Sequence, residues 1–237
     1  MKPHKEHRED SLAKTARQSR GIKAPPKTAA AKSRSASAAT AAKKRVVFVQ
    51  GGGADVHDSW DNRLVASLEQ ALGAGYVVRY PRMPKEADPH PGGWRKAIAR
   101  ELGRARDGAT ILVAHSVGAA ILLDFLAEAD ARRRISAVFL VAPPFIGEGG
   151  WPSDELRPTK QVATEIGDHL PVYLYFGAKD QTVPPSHGGL FEKAFPHAHV
   201  RRLPGRDHQL NDDLSAVAHD ITTLESGGAP SPGVKPS

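Results

Sequence analysis

An apolar strand stops abruptly at a serine in the stretch Ile111-Leu112-Val113-Ala114-His115-Ser116-Val117-Gly118. Two small residues, Ala114 and Gly118, stand two positions to either side of the serine, where a sharp strand-to-helix turn brings the backbones together. Residues 119–126, which follow, are apolar enough for a buried helix. We therefore predict a nucleophile elbow, with Ser116 at a helix N-terminus whose backbone dipoles favour developing negative charge.

The same turn also permits a purely structural interpretation. Ala114 stands where the G-x-S-x-G pattern has its first glycine, and isolated motif matches are often accidental. A tightly packed strand-to-helix connection without chemistry is therefore an alternative, and residues elsewhere in the chain have to distinguish the two interpretations.

Charge is distributed unevenly along the 237 residues. The formal net charge is +7, but residues 1–45 contain 13 Lys and Arg against 3 Asp and Glu, so this segment carries +10 and the remainder −3. Residues 1–45 hold too little apolar surface to offset the entropy of ordering, so we predict a disordered basic tail. Such a tail either binds nucleic acid or an anionic membrane surface, or is a solvated charge run, which is the commoner case.

Composition excludes several classes of protein. The chain has no run of about 18 apolar residues and no apolar secretory signal at its start, so we predict a cytoplasmic protein without a membrane span. The absence of cysteine excludes disulfides, thiolate catalysis and cysteine-ligated metal. The hydrophobic fraction of 40% is enough for a real core, whereas residues 226–237 are rich in turn formers and predict a flexible C-terminal tail.

Short β-rich runs alternate with amphipathic helical stretches between residues 46 and 225. This alternation is typical of a parallel sheet with helices on both faces, so we predict one α/β domain with a doubly wound, mostly parallel, six-stranded sheet. The strands are predicted at Val46–Gln50, Tyr76–Tyr80, Thr110–His115, Ala137–Ala142, Pro171–Gly177 and Ala198–Leu203.

Apolar residues at helical spacing predict the faces that three helices turn toward the sheet. Their stripes are Trp60, Leu64, Leu68 and Leu72; Trp94, Ile98 and Leu102; and Leu214, Val217, Ile221 and Leu224. Because Trp60 and Trp94 lie in these stripes, we predict core packing for both rather than contact with a substrate.

Polar residues follow three of the predicted strands at the edge where ligands bind in such sheets. Ser116 follows the third strand, Asp180 the fifth and His208 the sixth. A serine hydroxyl needs a base to take its proton during attack, and His208 lies in the loop between the last strand and the last helix. We therefore predict that His208 acts first as general base and then as general acid.

The other histidines are weaker candidates for the base. His115 precedes Ser116 on the strand, so we predict a structural role for it. The remaining alternatives do not combine the right strand end with the right chain order. They are His57, His187, His197 and His199.

A buried carboxylate is expected beside the base, because it fixes the tautomer of the imidazole and stabilises the imidazolium. Asp180 is predicted to fill this role, since it follows the fifth strand in a loop that Val183 and Pro184 can brace. Asp207 adjoins His208 and is the second candidate, because adjacent side chains seldom align for such a bond.

Backbone N–H groups at two places are predicted to bind the oxyanion that forms on attack. Val117 follows the nucleophile and supplies one, and Gly52 or Gly53 supplies the other from the loop after the first strand. A phosphate-binding interpretation of this glycine loop is weaker, since neither G-K-[ST] nor G-x-G-x-x-G is present there.

A metal site is a further alternative in the loop that follows these glycines. Asp55, His57 and Asp58 are potential ligands, but polar loops often contain such groups by chance. We expect no metal and no organic cofactor.

The order of a Gln-Gly-Gly loop, an A-H-S-V-G turn, a G-x-x-D-x-x-V-P loop and a D-H pair resembles the α/β-hydrolase superfamily over residues 46 to about 225. The compact length and the helix around Trp94 resemble, more narrowly, the small serine hydrolases related to the retinoblastoma-binding esterase. The chain departs from the superfamily pattern at Ala114, which replaces glycine, and at Gln50, where histidine is common.

The resemblance implies a site in the superfamily order of serine, acid and base. It implies Ser116 as nucleophile, Asp180 as acid, His208 as base, and Val117 with Gly52 as oxyanion donors. The connection from Pro143 to Gly167 is too short for a large lid, so small or short-chain acyl groups are expected. Its apolar residues either wall the acyl side or pack against the domain; they are Phe145, Ile146 and Trp151.

Three functional hypotheses follow from the sequence. The leading one is a serine esterase that hydrolyses a small-molecule carboxylic ester through an acyl-Ser116 intermediate. The second is a catalytically silent hydrolase fold that binds a partner through its basic tail. The third keeps the acyl chemistry but replaces water with another acceptor, namely an alcohol, an amine or a peroxide.

Overall fold

The computed structural model describes residues 43–104 and 110–228 of the chain. The predicted basic tail, apart from its last residues, and most of the predicted C-terminal tail lie outside these ranges. The proposed contact of the tail with nucleic acid or an anionic surface therefore lies outside them too. No helix of the described ranges has the length and apolar character needed to cross a lipid bilayer.

Six parallel strands form one sheet in the order β2-β1-β3-β4-β5-β6. The strands are β1 (Lys44–Val49), β2 (Tyr76–Arg79), β3 (Thr110–His115), β4 (Ile135–Val141), β5 (Val172–Gly177) and β6 (His199–Leu203). The predicted sheet is confirmed, with each strand end within two residues of its predicted position.

In the described ranges, seven α-helices connect and cover these strands. They are α1 (Asp61–Leu72), α2 (Pro91–Gly103), α3 (Ser116–Leu126), α4 (Ala129–Arg132), α5 (Thr159–Ile166), α6 (His187–Ala194) and α7 (Ser215–Glu225). Between β4 and α5 the chain forms a loop with one isolated bridge, from Ile146 to Trp151, and no inserted lid domain.

Alternating residues of the central strands divide the core into two layers, as a pleated strand requires. On one face, Val47 and Val49 of β1 pack with residues of α2, α3, α5 and α6. On the other face, Val46 and Phe48 pack with residues of α1 and α7. The sheet is therefore doubly wound, and its strand order reverses between β1 and β3, which is where ligands bind in this architecture.

The prediction that Trp60 packs in the core is wrong, whereas Trp94 is fully buried as predicted. A π-helical turn covers Val56–Trp60, and α1 begins only at the next residue, so the apolar stripe starts at Leu64. Trp60 is 48% exposed, and the guanidinium of Arg63 lies 5.3 Å from its ring centre.

Candidate active site

Ser116 lies at the turn between β3 and α3. It is the first residue of α3 and is only 8% exposed. Its φ angle of 53° is in the left-handed region, which costs a residue with a side chain of the order of 1 kcal/mol. Gly118 lets the first turn of α3 pass directly beside the backbone of Gln50. The small-residue pattern thus reflects a close backbone approach.

His208 joins Ser116 to Asp180. Its Nε2 lies 3.0 Å from the Ser116 Oγ, and its Nδ1 lies 2.8 Å from the Asp180 Oδ2. With Asp180 ionised, Nδ1–H donates to the carboxylate and Nε2 is left to accept the serine proton. The structure therefore brings the three predicted side chains into one hydrogen-bonded chain.

Both carboxylate oxygens of Asp180 accept hydrogen bonds. Its Oδ1 accepts the backbone N–H groups of Thr182 and Val183, at 2.8 and 2.9 Å. Burial raises the pKa of Asp180, but its hydrogen bond to His208, the His208 charge and the two N–H groups bring the pKa below its ordinary value. The loop after β5 therefore presents an ionised, oriented carboxylate to the imidazole.

The second candidate for the acid, Asp207, points elsewhere. Its Oδ1 accepts the Asn211 N–H at 2.8 Å, and the Asn211 side chain accepts the Asp207 N–H in return. This exchange closes the loop that carries His208. The next residues, Leu210 to Asp212, all have φ between 50° and 58°, so a strained left-handed turn supports the loop.

Of the histidines in the described ranges, only His208 is within hydrogen-bond distance of the Ser116 hydroxyl. His187 is buried, and its Nδ1 accepts the Phe145 N–H at 2.9 Å, so Nδ1 carries no hydrogen. Burial lowers the pKa of His187. His57 stacks on Tyr80, and His199 stacks on Tyr173.

Each glycine of the loop after β1 has a different hydrogen-bonding state. The Gly51 N–H donates to Asp61 at 2.6 Å, and the Gly53 N–H donates to the Glu86 carbonyl at 2.7 Å. The Gly52 N–H has no partner in the part of the chain that the structure describes. An ideal Cβ on Gly52 would lie 2.7 Å from the Val117 side chain, so the two predicted oxyanion donors are neighbours.

Gln50, which departs from the superfamily pattern, braces the neighbouring loop. Its side chain is fully buried, donates to Glu86 at 2.6 Å and accepts the Met83 N–H at 2.9 Å. Since the Glu86 carbonyl also holds Gly53, this side chain fixes the loop against which the glycines pack.

His115 and Asp61 form a buried pair directly behind the site. His115 Nδ1 lies 2.9 Å from Asp61 Oδ1, in a charge contact rather than a well-aligned hydrogen bond. The structural role predicted for His115 fits this position. Sequence reasoning missed Asp61, because an acidic residue in the first turn of a helix already has an ordinary explanation in the helix dipole.

The loop between β4 and α5 leaves the sheet beside Ser116, since Val141 pairs with His115. Phe145 and Ile146 are buried in the core, which favours the packing alternative for both. Trp151 is half-buried and packs against the core from the same loop.

No group of three potential metal ligands is arranged to hold an ion in the described ranges. Two residues of the alternative metal site have other partners: His57 and Asp58 pair with each other, and Asp58 also pairs with Arg82.

A cavity of about 370 Å³, lined in part by Leu170 and Phe195, lies at the opposite edge of the sheet, before β5 and β6. It does not belong to this site.

A model of the serine hydrolase family matches residues 46–194, more than half of the chain. The chain belongs to the serine hydrolase family. The matched part of this serine hydrolase contains Ser116 and Asp180 and ends before His208. None of the curated proteins matches the chain.

Solved structures share the fold of this serine hydrolase at low sequence identity. A serine hydrolase involved in carbazole degradation, CarC, is 14% identical with a TM-score of 0.61, covering 78% of this chain and 91% of that one. Est1E of Butyrivibrio proteoclasticus, solved with ferulic acid, is 16% identical with a TM-score of 0.57, covering 78% and 89%. The esterase domain of a Rhodothermus marinus protein is 18% identical with a TM-score of 0.56, covering 79% and 88%. The resemblance to the α/β-hydrolase superfamily is confirmed.

Proposed function

We propose that this serine hydrolase is an esterase that cleaves small-molecule carboxylic esters through an acyl-Ser116 intermediate. The observation that carries the proposal is the chain of contacts from the Ser116 hydroxyl through His208 to Asp180, at 3.0 and 2.8 Å. This arrangement suits proton transfer from a hydroxyl to an imidazole whose tautomer a carboxylate fixes.

In the acylation step, the Ser116 Oγ bonds to the ester carbonyl carbon while His208 Nε2 takes the hydroxyl proton. The carbonyl π electrons move to the oxygen and form a tetrahedral oxyanion. When the intermediate collapses, the bond to the alcohol oxygen breaks, and His208 gives its proton to the leaving alkoxide. Asp180 stabilises the imidazolium throughout without taking the proton.

The N–H groups of Gly52 and Val117 are proposed to hold the oxyanion. Gly51 and Gly53 donate to protein partners, whereas Gly52 has none in the described ranges, so Gly52 is the glycine available to a ligand. Val117 lies in the first turn of α3, where N–H groups have no partner within the helix. One such donor contributes about 2.7–4 kcal/mol to the transition state.

In the deacylation step, His208 takes a proton from a water molecule, whose oxygen bonds to the acyl carbon. Collapse of the second tetrahedral intermediate breaks the bond to Ser116 Oγ, and His208 returns the proton to it. The products are a carboxylic acid and an alcohol, and Ser116 is regenerated. Every proton in this cycle is moved by residues of the chain and by water.

We propose that the substrate carries a small or short-chain acyl group, because hydrogen bonds hold the loop between β4 and α5 in place beside Ser116. The Phe145 N–H donates to His187, and the Trp151 N–H donates to the Phe145 carbonyl at 2.8 Å. The Ile146 N–H donates to the Thr159 hydroxyl at 2.8 Å. These bonds hold the loop against the domain and leave no long segment that could cover an extended acyl chain, which supports the proposal.

A fluorophosphonate probe tests the nucleophile, since it phosphonylates an activated serine. We expect labelling of the wild type at Ser116, and no labelling of Ser116→Ala or His208→Ala. Hydrolysis of p-nitrophenyl acetate, butyrate and octanoate tests the substrate, with the highest kcat/KM expected for the shorter esters. A folded wild type that is not labelled would contradict the proposal, and a preference for octanoate would contradict its short-chain part.

A further inference from the structure

The proposed acyl transfer assigns no role to the buried charge pair directly behind the site. Asp61 is the first residue of α1 and is fully buried, and His115 is the last residue of β3 and is 2% exposed. Neither side chain contacts the Ser116 hydroxyl. A buried ion pair contributes little net folding free energy compared with apolar side chains of the same size. Stability alone therefore gives no reason for these residue types.

Each member of the pair has a second contact, and the two contacts lead to opposite halves of the site. The other carboxylate oxygen of Asp61, Oδ2, accepts the Gly51 N–H at 2.6 Å, next to the proposed donor Gly52. His115 Nε2 lies 3.2 Å from the His208 carbonyl oxygen. The rings of His115 and His208 are also packed, with centres 4.8 Å apart.

Both ring nitrogens of His115 face oxygen atoms, so both need a hydrogen. A neutral ring has one nitrogen without a hydrogen, and the lone pair of that nitrogen would face either the Asp61 carboxylate or the His208 carbonyl oxygen, which is repulsive. The charged groups around the ring are Asp61 from α1 and Asp180 from the loop after β5. Burial lowers the pKa of His115, but the Asp61 carboxylate and the His208 carbonyl raise it above its ordinary value, which favours the imidazolium form.

We infer that Asp61 and His115 are positioning residues, which hold the Gly51–Gly53 loop and the His208 loop in register with Ser116. This inference rests on the proposed function, because the register matters for proton transfer and oxyanion binding. The link runs from the Gly51 N–H through Asp61 and His115 to the His208 carbonyl, and Ser116 follows His115 directly in the chain.

Three variants separate the contacts of the pair. His115→Leu removes both contacts of the ring, whereas His115→Gln keeps an N–H that reaches the His208 carbonyl. Asp61→Asn keeps an acceptor for Gly51 but removes the charge. The control is Asp220→Asn, which alters a fully buried carboxylate that binds Tyr175 at 2.7 Å, away from the site.

The first readout is steady-state hydrolysis of p-nitrophenyl acetate. We expect His115→Leu to lower kcat about 10- to 100-fold with KM within about threefold, because a small misplacement of reacting groups has effects of this size. His115→Gln should regain about tenfold of this loss, and Asp220→Asn should stay within about twofold of the wild type. An equal loss of kcat in His115→Leu and Asp220→Asn would overturn the inference.

Nuclear magnetic resonance tests the link without any need for activity. We expect the doubly protonated His115 ring to persist to higher pH in the wild type than in Asp61→Asn. Amide exchange at residues 207–209 should be faster in His115→Leu than in Asp220→Asn. A His115 ring that loses its second proton at the same or a lower pH in the wild type than in Asp61→Asn, or equal exchange in both variants, would overturn the inference. Missing fluorophosphonate labelling would instead overturn the proposed function.

Discussion

The carbonyl oxygen of Gln50 occupies the place where a side chain on Gly118 would begin, 1.9 Å from an ideal Cβ. This contact brings the end of β1 against the first turn of α3. Because the glycine loop continues from Gln50 and Ser116 begins α3, the contact also sets the spacing between the proposed oxyanion donors and the proposed nucleophile.

Gly118→Ala should lower the free energy of unfolding by about 3 kcal/mol, because β1 or α3 must move to admit the methyl group. Urea denaturation measures this change. The matched control is Gly189→Ala in α6, where a Cβ meets no atom within 4 Å. The control should equal or exceed the wild type by up to about 1 kcal/mol, since alanine favours the helix. Equal stability of both variants would contradict the close approach.

Asp180→Asn should lower kcat about 10⁴-fold. The amide oxygen would stay with the Thr182 and Val183 N–H groups, so the NH2 group would face His208 Nδ1 and favour the wrong tautomer. Its partner variant is Asp207→Asn, which changes the exposed carboxylate beside His208 and keeps an oxygen for Asn211. Asp207→Asn should stay within about twofold of the wild type. Hydrolysis of p-nitrophenyl acetate measures both. A larger loss of kcat in Asp207→Asn than in Asp180→Asn would indicate that Asp207, and not Asp180, is the carboxylate that supports His208.

Gly52→Ala should lower kcat about 10²- to 10³-fold with a smaller effect on KM, because it disturbs one oxyanion donor. The added Cβ would lie 2.5 Å from the Pro89 ring and 2.7 Å from the Val117 side chain, so the loop must shift. Gly93→Ala, where the nearest atom lies at an ordinary 3.6 Å from the Cβ, serves as control. Undiminished kcat in Gly52→Ala would remove Gly52 from the proposed mechanism.

His187→Asn should reduce the dependence of stability on pH. The asparagine Oδ1 can accept the Phe145 N–H without titrating, whereas burial lowers the pKa of His187 and favours the neutral ring in the folded state. The unfolded chain therefore binds this proton at higher pH, and the wild type loses stability as the pH falls below about 6.5. Urea denaturation from pH 8 to pH 5 measures the difference between the two proteins. Parallel curves would contradict the assignment.

The sheet was predictable because several of its strands are continuously apolar, as buried parallel strands are, and because short β-rich runs alternate with helical stretches. The same regularity indicated Ser116, Asp180 and His208, since each follows a strand end at one edge of the sheet. Their catalytic roles stay predictions until the variants are measured. The disordered tail and the cytoplasmic location also stay predictions.

Other features depend on contacts that helical or strand spacing does not encode. Trp60 fits the apolar spacing of α1, but the π-helical turn before the helix moves it out of the stripe. The choice of Gly52 among three glycines depends on which N–H groups Asp61 and Glu86 occupy. Asp61 and His115 are brought together by the packing of α1 against the sheet, so no local pattern indicates their pairing.

The imidazole comes late in the chain, after β6 at the edge of the sheet. During synthesis, Ser116 and Asp180 leave the ribosome first, in a segment that already contains five of the six strands. A nascent chain of that length holds the Ser116 hydroxyl without the imidazole that we propose as its base. In the proposed mechanism, efficient acyl transfer therefore becomes possible only when nearly all of the domain has been made.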